Sequence, residues 1–144
     1  MTTNSSSAAL SRGLRYLLPL LLYGALIFYG SSQSRWLLEP PDFFSADKIY
    51  HLLEYGIFGA LTARAMDGYA FPAGGRRRIL GIVAAGFLYG LSDEIHQYFV
   101  PGRFATLGDL LADTLGAGLG GWLFFRWPKA FGRLTNKGNA DRKG

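Results

Sequence analysis

The chain has 144 residues, enough for one domain, and is 49% apolar, 15% aromatic and only 17% charged, against about 25% charge in an average soluble domain. It has no cysteine, which excludes disulfides, thiolate nucleophiles, Fe–S clusters and Cys-based zinc sites. Mean hydropathy is +0.14 although both ends are polar, so the middle is far more apolar than the average, and the composition leaves a small integral membrane protein.

Residues 1–13 (with the run TTNSSSAA) read as a disordered polar N-terminus. Four apolar segments follow: Leu14–Gly30, which contains LLPLLLYGALIFYG, then Ile49–Met66, Ile79–Tyr98 and Leu107–Trp127. A helix needs about 20 residues to cross a bilayer core, with about 17 as the lower limit. The first two segments are therefore short, and the last two reach full length only with their polar residues counted inside. No two-residue alternation is sustained, and lipid admits only helices or closed barrels. The expected fold is all-α, a four-helix transmembrane bundle over 14–127, followed by a basic cytoplasmic tail at 128–144. The first segment also has a signal-peptide reading, with Arg12 and Arg15 ahead of it, but Tyr29 and Gln33 do not make a small-residue cleavage site.

The charges sort by side. Arg12, Arg15, Arg64, Arg76, Arg77, Arg78, Arg126, Lys129, Arg133, Lys137, Arg142 and Lys143 fall on one side, with only Asp67 and Asp141 against them. The other side holds Arg35, Lys48 and Arg103 with Glu39, Asp42, Asp47, Glu54, Asp93, Glu94, Asp109 and Asp113. Cationic loops stay in the cytoplasm, so both termini are expected inside and the acidic links outside. The same rule accounts for Arg76–Arg78 and removes nucleic acid as a partner. Trp36, Trp122, Trp127 and Tyr98 suit interfacial anchoring.

The polar residues gather at the outer ends of three segments. Asp47, His51 and Tyr55 are four apart and share a helix face, with Lys48 and Glu54 nearby. Gly86, Gly90 and Glu94 line up on the third segment, beside Asp93 and Gln97, and Asp109, Asp113, Gly116 and Gly120 line up on the fourth. Small residues at this spacing bring helix backbones together, so the acids on the same stripes are expected to face the bundle interior. Arg103, in the tight Pro101-Gly102-Arg103 link, is expected to pair with their carboxylates. Thr106 and Asp109 have capping-box spacing, with Asp in place of the usual Glu or Gln. His51 with Asp47 is the best metal-like pair, but His96, two residues from Glu94, faces elsewhere. No metal site and no cofactor are expected.

Taken in order, these residues resemble the VanZ-like family of small bacterial membrane proteins. The resemblance rests on D-K-x-x-H-x-x-x-Y at Asp47, Lys48, His51 and Tyr55, on D-E-x-x-Q at Asp93, Glu94 and Gln97, on Pro101–Arg103, and on Asp109, Asp113 and Gly116. Asp113 stands where that pattern usually has Asn. The resemblance implies a multi-pass protein of the bacterial inner (cytoplasmic) membrane, in a family whose founding member is associated with resistance to the glycopeptide teicoplanin.

Three readings of the polar residues stay open. The first is an outward-facing site of Asp47, Lys48, His51, Tyr55, Asp93, Glu94, Gln97, Arg103, Asp109 and Asp113 that binds a membrane lipid head group, a cell-wall precursor or a glycopeptide-related ligand. The second is an enzyme acting on a phospho-linked envelope lipid, with His51 and Glu94 as general acid and base. The third is a purely structural polar network. The glycine spacing permits an oligomer but does not require one.

Overall fold

The computed structural model describes residues 3–34, 46–71 and 74–127. Among them all regular structure is helical: α1 (Thr3–Arg12), a π-helical turn (Gly13–Leu17), α2 (Leu18–Ser31), α3 (Ala46–Gly68), α4 (Gly75–Tyr98) and α5 (Leu107–Arg126). The four apolar segments thus become α2 to α5. Two helical stretches, Ser7–Ser31 and Gly75–Tyr98, are long and apolar enough to cross a membrane. Arg35, Trp36, Glu39, Asp42 and the basic tail at 128–144 lie outside the described residues.

The polar leader corrects one expectation. It is helical from Thr3 rather than irregular, because adding turns to an existing helix costs far less than nucleating one. Ser11 Oγ donates to Ala8 O at 2.9 Å, which ties its hydroxyl into the helix. The π-helical turn that follows sits just ahead of Pro19. Proline has no N–H to offer the carbonyl four residues earlier, and its ring crowds that carbonyl. The carbonyl in question is that of Arg15, and Arg64 Nη1 of α3 donates to it at 2.8 Å.

The helices alternate in direction. Tyr23 Oη donates to Glu54 O and Gly68 lies against Tyr16, so α3 runs back along α2. Tyr89 Oη donates to Gly24 O and Ser31 meets Asp93, so α4 runs with α2. Helix α5 packs on both α3 and α4, and its glycines set how closely. A Cβ at Gly116 would overlap Leu52 O, and one at Gly120 would overlap Gly56 O. A Cβ at Gly59 of α3 would likewise overlap the Ala117 backbone. The stripe read on α5 therefore serves packing within the monomer, against a matching stripe on α3.

This approach leaves a thin core. Ile27, Tyr55 and Phe58 form one apolar cluster, and Ala63, Ile82, Ala117 and Phe124 another. The usual polarity is inverted around them. Asp93 and Asp113 expose 1% and 0% of their surface, whereas Leu21 and Leu115 expose 66% and 65%. The alternation of direction brings the C-termini of α2 and α4 to the same end as the N-termini of α3 and α5. Among the described residues, the buried acids Asp93, Glu94, Asp109 and Asp113 all lie at that end.

Candidate functional site

Helix α5 starts at Thr106, whose hydroxyl accepts from Asp109 N at 3.1 Å. The same hydroxyl donates to Asp109 Oδ2 at 2.6 Å. A full capping box would return the side chain of the third helical residue to the cap's own N–H. The shorter Asp109 does not do this; Thr106 N instead donates to Glu94 Oε2 of α4 at 2.7 Å. The cap of one helix is thereby completed by an acid from another, which fixes Glu94 beside the α5 N-terminus.

Helix α3 closes the cluster. Lys48 Nζ bonds Asp109 Oδ1 at 2.8 Å, and His51 Nδ1 lies 2.9 Å from Asp113 Oδ1, one helical turn further in. Lys48 is about half exposed, while Asp109 and Asp113 are buried. The approach of α4 is set by Gly90, where a Cβ would sit 2.8 Å from Asp113 Oδ2. Glu94 Oε1, Asp113 Oδ2 and Tyr55 Oη are buried and have no hydrogen-bond partner among the described residues. Asp47 is exposed at the edge of this group. Its carboxylate, a His51 nitrogen and an Asp109 oxygen lie within 4.8 Å of one another, as do donor atoms of His51, Glu94 and Asp113.

A second network occupies the α2–α4 seam. Ser31 Oγ donates to Asp93 Oδ1 at 2.5 Å and Gln97 Nε2 to Asp93 Oδ2 at 2.8 Å. Ser32 Oγ lies 2.9 Å from His96 Nε2, and the His96 ring stacks on Phe28 with centroids 4.1 Å apart. Arg103 donates from Nε to Gln33 O at 3.0 Å and from Nη2 to Gly30 O at 2.8 Å. This corrects the carboxylate pairing expected of Arg103. The terminal carbonyls of α2 lack intrahelical partners, and the turn holds the guanidinium beneath them. That turn is closed by Arg103 N bonding Val100 O, with Gly102 at φ +82° in the position where only glycine is free of strain.

The ten residues read as one site therefore divide. His51, Glu94, Asp109 and Asp113 meet, with Lys48 bonded to them, Asp47 at the rim and Tyr55 buried below. Asp93, Gln97 and Arg103 belong to the seam with α2. The sequence reading missed Ser31 and Ser32, although their place at the end of an apolar segment, level with Asp93, was a usable signal. A surface cleft lined by Ser11, Arg12, Arg15, Tyr16 and Gly68 lies at the opposite, basic end.

A family model described as VanZ/LLP1 matches residues 5–128. The chain belongs to the VanZ-like family. The match takes in every helix from α2 to α5, and with them both networks. Comparison with curated proteins and with solved structures gives no match. In this VanZ-like chain, Asp113 accepts from a His51 ring nitrogen when that nitrogen carries a proton, and it keeps a second oxygen free.

Proposed function

We propose that this VanZ-like chain crosses the bacterial cytoplasmic membrane four times, through α2, α3, α4 and α5, with both termini inside. Its acidic end then faces outward and binds the head group of an envelope lipid or a glycopeptide-related ligand, which links this reading to glycopeptide resistance. The observation that carries it is the inversion of polarity. Leucine, isoleucine and phenylalanine cover the exterior, while unpartnered carboxylate oxygens are held at one end of the interior. Ionisable groups inside a membrane protein are costly and mark functional sites by default. The open valences here are two carboxylate oxygens, which accept, and the Tyr55 hydroxyl, which donates or accepts. Lys48 is committed to Asp109 and Arg103 to backbone carbonyls. The bound group is therefore recognised through its own donors, such as a protonated amine, rather than through a phosphate.

A second reading is favoured by the His51–Asp113 pair. A histidine oriented by a buried carboxylate, next to Glu94 with a free oxygen, has the parts of a general acid–base pair. In that case the protein modifies a phospho-linked envelope lipid at the outer leaflet.

Reporter fusions after Arg126 test the topology, and a periplasmic signal would overturn it. Lipid and wall-precursor profiles by mass spectrometry, in cells with and without the protein, test the site. A ligand that co-purifies unaltered and is lost in Glu94→Gln supports binding; a new modified species lost in the same variant supports catalysis. Identical profiles and no co-purifying molecule, with Glu94→Gln folded, would remove both.

A further inference from the structure

Among the described residues, two buried acids of the α3–α4–α5 cluster each keep one oxygen without a partner. Asp109 has both oxygens engaged, Oδ1 by Lys48 and Oδ2 by Thr106. Glu94 accepts only the Thr106 N–H and leaves Oε1 without a partner. Asp113 is met only by His51 and leaves Oδ2 without a partner, and both acids are more than nine-tenths buried. An anion in such surroundings is stabilised by pairing or by metal coordination.

The donors for coordination are already assembled. One nitrogen of His51, one oxygen of Glu94 and one of Asp113 lie within 4.8 Å of one another, and each comes from a different helix. A tetrahedral shell with ligands at about 2.0–2.2 Å places neighbouring donors about 3.4 Å apart. Side-chain rotation of roughly an ångström brings this trio to that spacing. We propose that His51, Glu94 and Asp113 bind one divalent first-row metal ion, of the Zn²⁺ or Mn²⁺ class that mixed imidazole and carboxylate donors suit.

The neighbouring trio of Asp47, His51 and Asp109 is the weaker site. It shares His51 and draws on an acid whose oxygens are both taken. The sequence reading took His51 with Asp47 as the metal-like pair and so did not single out the stronger trio; His96, read as facing away from Glu94, sits with Ser32 and Phe28 on α2. The metal draws on the same two acids as the head-group reading, so a head group would then meet the ion rather than their free oxygens; the metal stands without that reading, because it rests on the cluster's own atoms.

The test uses the full-length, tag-free chain in detergent, stripped with a chelator and titrated separately with Zn²⁺ and Mn²⁺. Bound metal per chain after desalting and the thermal midpoint are read together. The expected result is about one equivalent of at least one of the two ions, a higher midpoint when it is bound, and affinity at least tenfold weaker in Glu94→Gln and Asp113→Asn. Asp93→Asn, in the other network, is expected to bind as the parent does. Binding well below one equivalent in the parent chain overturns the proposal, and so does equal affinity in folded Glu94→Gln and Asp113→Asn. Should either variant fail to fold, the parent titration and the other variant decide. A chain that binds metal but leaves envelope profiles unchanged keeps the metal site and removes the head-group reading.

Discussion

Asp93 and Glu94 are neighbours in the sequence, equally buried, and end up in networks of opposite character. Successive residues on a helix point about 100° apart, so Asp93 faces α2 and Glu94 faces α5. Both oxygens of Asp93 are taken, by Ser31 and Gln97. Glu94 has one oxygen taken and one free, next to Asp113 in the same state. The seam with α2 is closed and holds helices together, whereas the α3–α4–α5 cluster has unused capacity. Burial and charge alone do not separate these two acids; the unfilled oxygen does.

The largest disruption is expected from Gly120→Val, which attacks the scaffold of the open cluster without touching its polar atoms. The new Cβ overlaps the Gly56 backbone, and overpacking costs about 1–3 kcal/mol, more where backbone must move. The expected outcome is loss of monodisperse protein, or a large fall in thermal midpoint, measured by size exclusion and thermal unfolding in detergent. A midpoint equal to the parent's would show that α3 and α5 are not in this contact.

Asp93→Ala sharpens the comparison from the closed side. It strands the Gln97 donor, at about 1–3 kcal/mol for a buried group left unsatisfied, while Ser31 Oγ keeps Phe28 O as an acceptor at 3.0 Å. Stability is expected to fall while the envelope phenotype of the surviving folded protein persists. Glu94→Gln is expected to do the reverse, with stability changed by less than about 1 kcal/mol because Thr106 N keeps an acceptor. A phenotype that follows stability in both variants would collapse the two networks into one structural unit.

Arg103→Ala is expected to cost about 1–2 kcal/mol, for two charge-assisted bonds that are only half-buried. Arg103→Lys restores part of this, since one ammonium cannot reproduce the forked contact with Gly30 and Gln33. Thermal unfolding checks the order parent, Lys, Ala. A full rescue by Lys would mean that charge alone matters there.

How much of this was legible in the sequence follows from how local each cause is. Helices α2 to α5 were, because their apolar runs are contiguous, and so was the inward stripe of Asp109, Asp113, Gly116 and Gly120; the polar α1 was not. The Thr106 cap was legible, since its spacing is fixed by helix geometry. The partner of Arg103 was not. Its turn was read correctly, but what lies above that turn depends on where α2 ends. Gly56 and Gly59 passed unread because no acid on their stripe drew notice, although they form half of the tightest contact. The division of the polar residues was hidden for the same reason: helical periodicity gives the face of a residue but not which neighbour covers it.

A small effect is expected at Thr106, and it bears directly on the open cluster. Loss of an N-cap hydroxyl costs about 1 kcal/mol, so Thr106→Ala is expected to lower stability slightly and Thr106→Ser to restore it. Both substitutions keep the backbone N–H that holds Glu94 Oε2. What Thr106→Ala removes is the hydroxyl on Asp109 Oδ2, leaving that oxygen open beside Lys48. If the free oxygens of Glu94 and Asp113 do the binding, Thr106→Ala retains the envelope phenotype at permissive temperature. If Asp109 must be held in its present rotamer for ligand binding, the phenotype weakens by more than the stability loss explains, and Thr106→Ser recovers it. The ratio of phenotype to folded protein in the two variants therefore decides whether Asp109 belongs to the binding surface or only to the frame around it.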